Sequence, residues 1–142
     1  MSKTHRLLLV EDRPADVRLT KRAIKRAGYN VDIDVAENGR EALDILQQAN
    51  GHAGHPLPDL VLLDWMMPIV DGSEVLHEMR KDPALKRMPV VVLTTSSSEV
   101  DVKDAYSRGC NAYLSKPVDP EDFQQTIEAM GLFWLNKAIL PK

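Results

Sequence analysis

Two patterns of apolar residues alternate along the chain. The runs Leu7-Leu8-Leu9-Val10, Leu60-Val61-Leu62-Leu63 and Val90-Val91-Val92-Leu93 are continuous and bounded by polar residues, which predicts strands buried on both faces. Val31, Ile33 and Val35 instead alternate with acids, which predicts a half-exposed strand near a sheet edge. Ala112-Tyr113-Leu114 predicts a short fifth strand ending at Lys116-Pro117. Between these runs the spacing becomes helical. Val17, Thr20, Ile24 and Ala27 share one face after Pro14, and Gly28 ends that helix. Asn38 with Glu41 opens a second helix carrying Ala42, Ile45, Leu46 and Ala49 inward. Val75, Leu76 and Met79 mark a third, and Val102, Ala105, Tyr106 and Gly109 a fourth. Asp119-Pro120-Glu121-Asp122 starts a fifth, with a cap, a proline and acids facing the positive end of the helix dipole. Phe123, Ile127 and Met130 continue it inward.

Five βα units in order predict an α/β fold, a doubly wound five-stranded parallel sheet covered by helices on both faces. The strand order that fits this count is 2-1-3-4-5. Its switch point lies between the first and third strands, and ligands bind there. Both strands end in acid, the first on Glu11-Asp12 and the third on Asp64. Three carboxylates so placed repel one another unless a divalent cation or a proton relieves them. Chemistry and topology thus point to the same place. Thr94-Thr95 after the fourth strand offers hydroxyls to an anion, and Lys116 after the fifth offers a point charge suited to a phosphoryl oxygen.

Composition narrows the function classes. With 142 residues, 44% hydrophobic and 27% charged, the chain has the size and make-up of one soluble domain. A net charge of -3 gives no footprint for nucleic acid or an anionic membrane. No apolar run is long enough to span a bilayer, and one cysteine, Cys110, excludes an internal disulfide, so the expected compartment is the cytoplasm. His52 and His55 have metal-like spacing but sit in a loop at 50–58 with no further ligand nearby.

Val10-Glu11-Asp12, Leu63-Asp64-Trp65-Met66-Met67-Pro68, Asp71-Gly72, Thr94 and Lys116-Pro117 together resemble the receiver domain of two-component response regulators, a CheY-like domain, over about residues 5–130. Pro14-Ala15-Asp16-Val17-Arg18-Leu19 and Phe133-Trp134-Leu135 make it especially similar to the stand-alone receivers paired with bacterial phytochrome histidine kinases.

The resemblance implies a role for each matching position. Asp64 is the expected phosphoacceptor from a sensor histidine kinase. Asp12, Asp64 and the backbone carbonyl of Met66 are the expected Mg²⁺ ligands, with Glu11 acting through a water. Lys116 and Thr94 are expected to take the new phosphoryl oxygens, and Tyr113 to follow Thr94 inward as a switch. Lys116-Pro117 is expected to be cis, and Trp65 half-exposed beside the site. No enzymatic turnover of a separate substrate is implied, only assistance to Mg²⁺-dependent phosphotransfer and autodephosphorylation.

Residues 1–142 are read as a single receiver domain, with 131–142 a tail extending the last helix. The twelve residues after Met130 are too few for a DNA-binding output, so signalling is expected through a downstream protein. Phe133, Trp134 and Leu135 are the expected contact of a homodimer. Arg13 departs from the usual smaller polar residue and adds a cation near the pocket. The competing class is a phosphatase of the haloacid-dehalogenase type using Asp64, but that chemistry wants an acid where Met66 stands.

Overall fold

The continuous apolar runs cannot face water on either side, and they meet in the middle of one sheet. The computed structural model describes residues 4–141. Its strands are β1 (His5–Val10), β2 (Val31–Ala36), β3 (Leu60–Leu63), β4 (Val90–Thr94) and β5 (Ala112–Ser115), all parallel in the order β2-β1-β3-β4-β5. Wholly buried β3 takes the centre, while β2, with its alternating acids, takes an edge. The helices are α1 (Pro14–Ala27), α2 (Gly39–Leu46), α3 (Gly72–Lys81), α4 (Glu99–Ser107) and α5 (Pro120–Gly131), and a wide π-helical turn at Leu132–Lys137 continues α5.

Alternate strand residues build two cores. Leu8, Val10, Val61, Leu63, Val90 and Val92 pack with residues of α2, α3 and α4. Leu7, Leu9, Leu60, Leu62, Val91 and Leu93 pack with α1, α5 and the turn after it. The expected caps at Asn38 and Asp119 are present, accepting from Glu41 and Asp122 N–H at 2.8 and 3.1 Å, and Asp71 caps α3 in the same way, accepting from Glu74 N–H at 3.1 Å.

Several expectations need correction. Ala49 lies beyond α2, because Gln48 turns into the left-handed region (φ 55°) after the helix closes at Leu46. Tyr106 is half-exposed on α4, where Ala105 alone is buried. Trp65 is buried in the α2–α3 core. The chain folds back after it, and Gly72 N–H donates to the Trp65 carbonyl at 3.0 Å. Only glycine fits there, since a Cβ on Gly72 would lie 2.3 Å from the Asp64 carbonyl oxygen. No peptide bond among the described residues is cis, so Lys116–Pro117 is trans and Lys116 reaches the site without that device.

The tail divides. Leu135 is buried in its own chain's α1–α5 core and is therefore not available to a partner copy, contrary to expectation. Trp134 packs partly against that core, and Phe133 is exposed with its ring edge-on to Trp134, centroids 5.0 Å apart.

Candidate functional site

Parallel strands deliver their C-terminal residues to one edge of the sheet. β1 passes into Glu11 and Asp12, and the Asp64 N–H donates to the Val10 carbonyl at 3.0 Å, locking the end of β3 beside them. The carboxylates of Glu11, Asp12 and Asp64 offer oxygens that all lie within 4.8 Å of one another. Glu11 and Asp64 are buried, Asp12 half-buried. β4 contributes Thr94, fully buried, whose hydroxyl has no hydrogen-bond partner among the described residues. The Lys116 N–H donates to the Thr94 carbonyl at 2.7 Å, which sets the start of the lysine side chain against β4.

Lys116 is the positive centre of this edge. Its ammonium donates to Glu11 Oε1, to Asp16 Oδ2 at 3.0 Å and to Asp64 Oδ2 at 3.4 Å. The other oxygen of Asp64, Oδ1, accepts the Met66 N–H at 3.3 Å. Both acceptor oxygens are thereby oriented before any ligand arrives.

Three carboxylates contact the one ammonium and Asp12 adds a fourth acid to the edge, so acids outnumber bases there. Burial, reinforced by the neighbouring Asp64, pushes Glu11 up to about 8 despite the contact with Lys116. Burial alone would lower Lys116, but the bond to Glu11 and the charges of Asp64 and Glu11 outweigh it and raise the ammonium's pKa. A cluster that holds back a proton in this way, with all-oxygen donors, fits a hard divalent cation.

The structure brings together every acid and base expected of this edge: Glu11, Asp12, Asp64 and Lys116, with Thr94 beside Lys116 on the next strand. Met66 takes part through its N–H, while its side chain is exposed. Tyr113 is half-buried on β5 and donates its hydroxyl to the Ser96 carbonyl at 2.8 Å, joining β5 to the β4–α4 connection. Arg13 is exposed, lines a groove with Lys116 and Thr95, and forms no ion pair among the described residues. His52 and His55 meet edge to face at 6.1 Å, and His55 faces Asp34 at 3.5 Å; they join no group of metal-holding side chains among the described residues. Asp16 was not foreseen as a site residue. In the sequence it is one more acid in a first helical turn.

Fold, strand order and this edge define a doubly wound α/β module with acids and one lysine gathered at the strand ends, and comparison with known proteins gives its family. The model of the response regulator receiver domain family matches residues 7–128, and the chain belongs to that family. It is 44% identical over 130 residues to the probable methanogenesis regulatory protein FilR2 of Methanothrix harundinacea, covering 92% of this chain and 83% of that protein. It is 40% identical over 135 residues to the response regulator Rcp1 of Synechocystis, covering 95% and 92%. The phosphorylated cyanobacterial phytochrome response regulator RcpA superposes with a TM-score of 0.94 at 38% identity, covering 99% of this chain and 100% of that one. The Mn²⁺-bound form of Rcp1 superposes at 0.92 and 39% identity, covering 97% and 99%.

Proposed function

We propose that this receiver takes a phosphoryl group on Asp64 from a sensor histidine kinase of the phytochrome class, such as a bacteriophytochrome, in the cytoplasm. The observation that carries the reading is the Lys116 ammonium held at 3.4 Å from an Asp64 oxygen at the topological switch point of the sheet. An Asp64 oxygen attacks phosphorus in line; the P–N bond of the phosphohistidine breaks, its electron pair returns to the imidazole nitrogen, and solvent protonates that nitrogen. Lys116 meets charge on a phosphoryl oxygen. Thr94 has an unspent donor for another such oxygen, and its orphaned hydroxyl fits a group that acquires its partner only on phosphorylation. Tyr113, tied to Ser96 just beyond Thr94, is the element that would feel that movement.

Asp12 and Asp64, with the Met66 carbonyl and with Glu11 through water, would hold Mg²⁺. When bound, Mg²⁺ supplies positive charge to the equatorial phosphoryl oxygens. Two named relatives support these choices, one a phosphorylated phytochrome response regulator and one a Mn²⁺-bound form. The chain turns over no separate substrate; it assists its own phosphorylation and autodephosphorylation. Output passes to a downstream protein, and the exposed Leu132 and Phe133, with half-buried Trp134, offer a self-complementary contact for a homodimer.

Phosphoramidate replaces the unidentified kinase in the test. Intact-mass spectrometry of wild type should show the gain of one phosphoryl group, dependent on Mg²⁺ and absent in Asp64→Asn. Equal labelling of the folded variant would overturn the assignment.

A further inference from the structure

Lys116 has three ammonium hydrogens and three carboxylate partners. Two of those partners, Glu11 and Asp64, belong to the carboxylate trio suited to a cation. Asp64 is also the oxygen nucleophile of the function proposed above, on which the present inference rests. The third partner, Asp16, belongs to neither set. It comes from the first turn of α1, 100 residues from Lys116 in the chain, and its 3.0 Å contact is shorter than the 3.4 Å contact to the acceptor.

We propose that Asp16 is a positioning residue, the constant anchor that holds the Lys116 ammonium over the acceptor while its other two partners are drawn into cation binding and phosphoryl transfer. An acid in the first turn of a helix ordinarily serves the helix dipole from an exposed position. Asp16 is different: its side chain is only 20% exposed and is turned toward Lys116. Its backbone is fixed as well, because the buried Thr20 hydroxyl donates to the Asp16 carbonyl at 2.8 Å. Nor does it cap the helix, whose N-cap is Arg13 without a side-chain capping bond. Asp16 and Lys116 share the wall of a groove of about 220 Å³ with Arg13, Leu19, Thr95, Pro117 and others. Once Glu11 and Asp64 are engaged elsewhere, an ammonium without Asp16 is free to turn into that groove, away from the atom it must serve. α1 would thus act on the chemistry at Asp64 without touching it.

The test uses the full chain and two readouts. The first is the ¹H–¹⁵N signal of the Lys116 ammonium in Mg²⁺-saturated protein, where Glu11 and Asp64 are engaged by the cation, assigned by its disappearance in Lys116→Met. A buried ammonium anchored by Asp16 should exchange slowly enough to be seen in wild type. The second is the rate of phosphorylation by phosphoramidate with saturating Mg²⁺. Asp16→Ala should broaden the signal away and slow labelling roughly tenfold or more at saturating phosphoramidate, as loss of alignment does. The concentration of phosphoramidate giving half-maximal rate should change less. Asp16→Asn keeps an oxygen acceptor and should restore the signal and most of the rate, which a role in helix stability would not predict. An unaltered Lys116 signal in Asp16→Ala, or a lost signal with an unaltered rate, overturns the proposal. A wild-type chain that takes up no phosphoryl group refutes the functional reading instead, whatever the Lys116 signal does.

Discussion

Thr94→Val should make the unphosphorylated protein more stable while impairing its response. The Thr94 side chain is fully buried, and its hydroxyl finds no partner among the described residues. A buried, unsatisfied polar group costs about 1–3 kcal/mol. Valine has nearly the same shape, removes that penalty and places a methyl where no water reaches. The expected gain is about 1–2 kcal/mol, below the upper figure because a hydroxyl can rotate toward a weak local acceptor. For a chain of this length that is a Tm increase of roughly 3–8 °C. The assay is urea unfolding followed by far-UV circular dichroism at pH 7, with the denaturant slope unchanged so that midpoints report stability. The same variant, phosphorylated on Asp64, should show a smaller phosphorylation-dependent change in Tyr113 NMR signals, because valine cannot donate to a phosphoryl oxygen. A loss of more than about 0.5 kcal/mol would refute the reasoning, since it would mean that the hydroxyl is already satisfied, for example by a buried water.

Three further outcomes follow from the same geometry. Ile69, a β-branched residue 80% exposed in the β3–α3 connection, is held at φ 71°; Ile69→Asn should raise stability by about 1 kcal/mol in the same urea assay, and an unchanged or lower midpoint would count against strain there. Phe133→Glu should weaken a homodimer in light scattering without altering the fold, whereas Leu135→Ala should cost about 2–4 kcal/mol of stability, and a dimer indifferent to Phe133→Glu would exclude this surface. In cation-free buffer Glu11 titrates near 8 when folded against 4.5 for an ordinary glutamate; a raised value contributes stability at low pH that is lost as pH climbs through the folded value, so stability should fall between pH 4.5 and 8 and Mg²⁺ should offset the fall, and a flat profile without cation would contradict the crowding of carboxylates.

The sheet was legible because its signals are local and agree. Continuous apolar runs at 7–10, 60–63 and 90–93 could only be buried strands, and βα alternation with right-handed crossovers left few strand orders. The acids and Lys116 were legible for the same reason, since each ends a strand and parallel strands end together. What depends on a long-range approach was not legible. The contact of Asp16 with Lys116 exists only because α1 packs against α5 and the chain entering it, and nothing near Asp16 in sequence signals it. Trp65 is buried because Gly72 lets the chain fold back over the Asp64 backbone, a matter of one missing Cβ. Leu135 and Phe133 are alike in composition, and only the wide turn after α5 decides which of them faces the core.

The claim that Asp64 is the acceptor is tested most directly by trapping the acyl phosphate. Protein phosphorylated with phosphoramidate and Mg²⁺ is reduced with borohydride, which converts a phosphorylated aspartate to homoserine, then digested and sequenced by mass spectrometry. Homoserine should appear at position 64 and at no other aspartate, and omission of Mg²⁺ should abolish it. Homoserine at Asp12 or Asp16 with none at 64 would contradict the account.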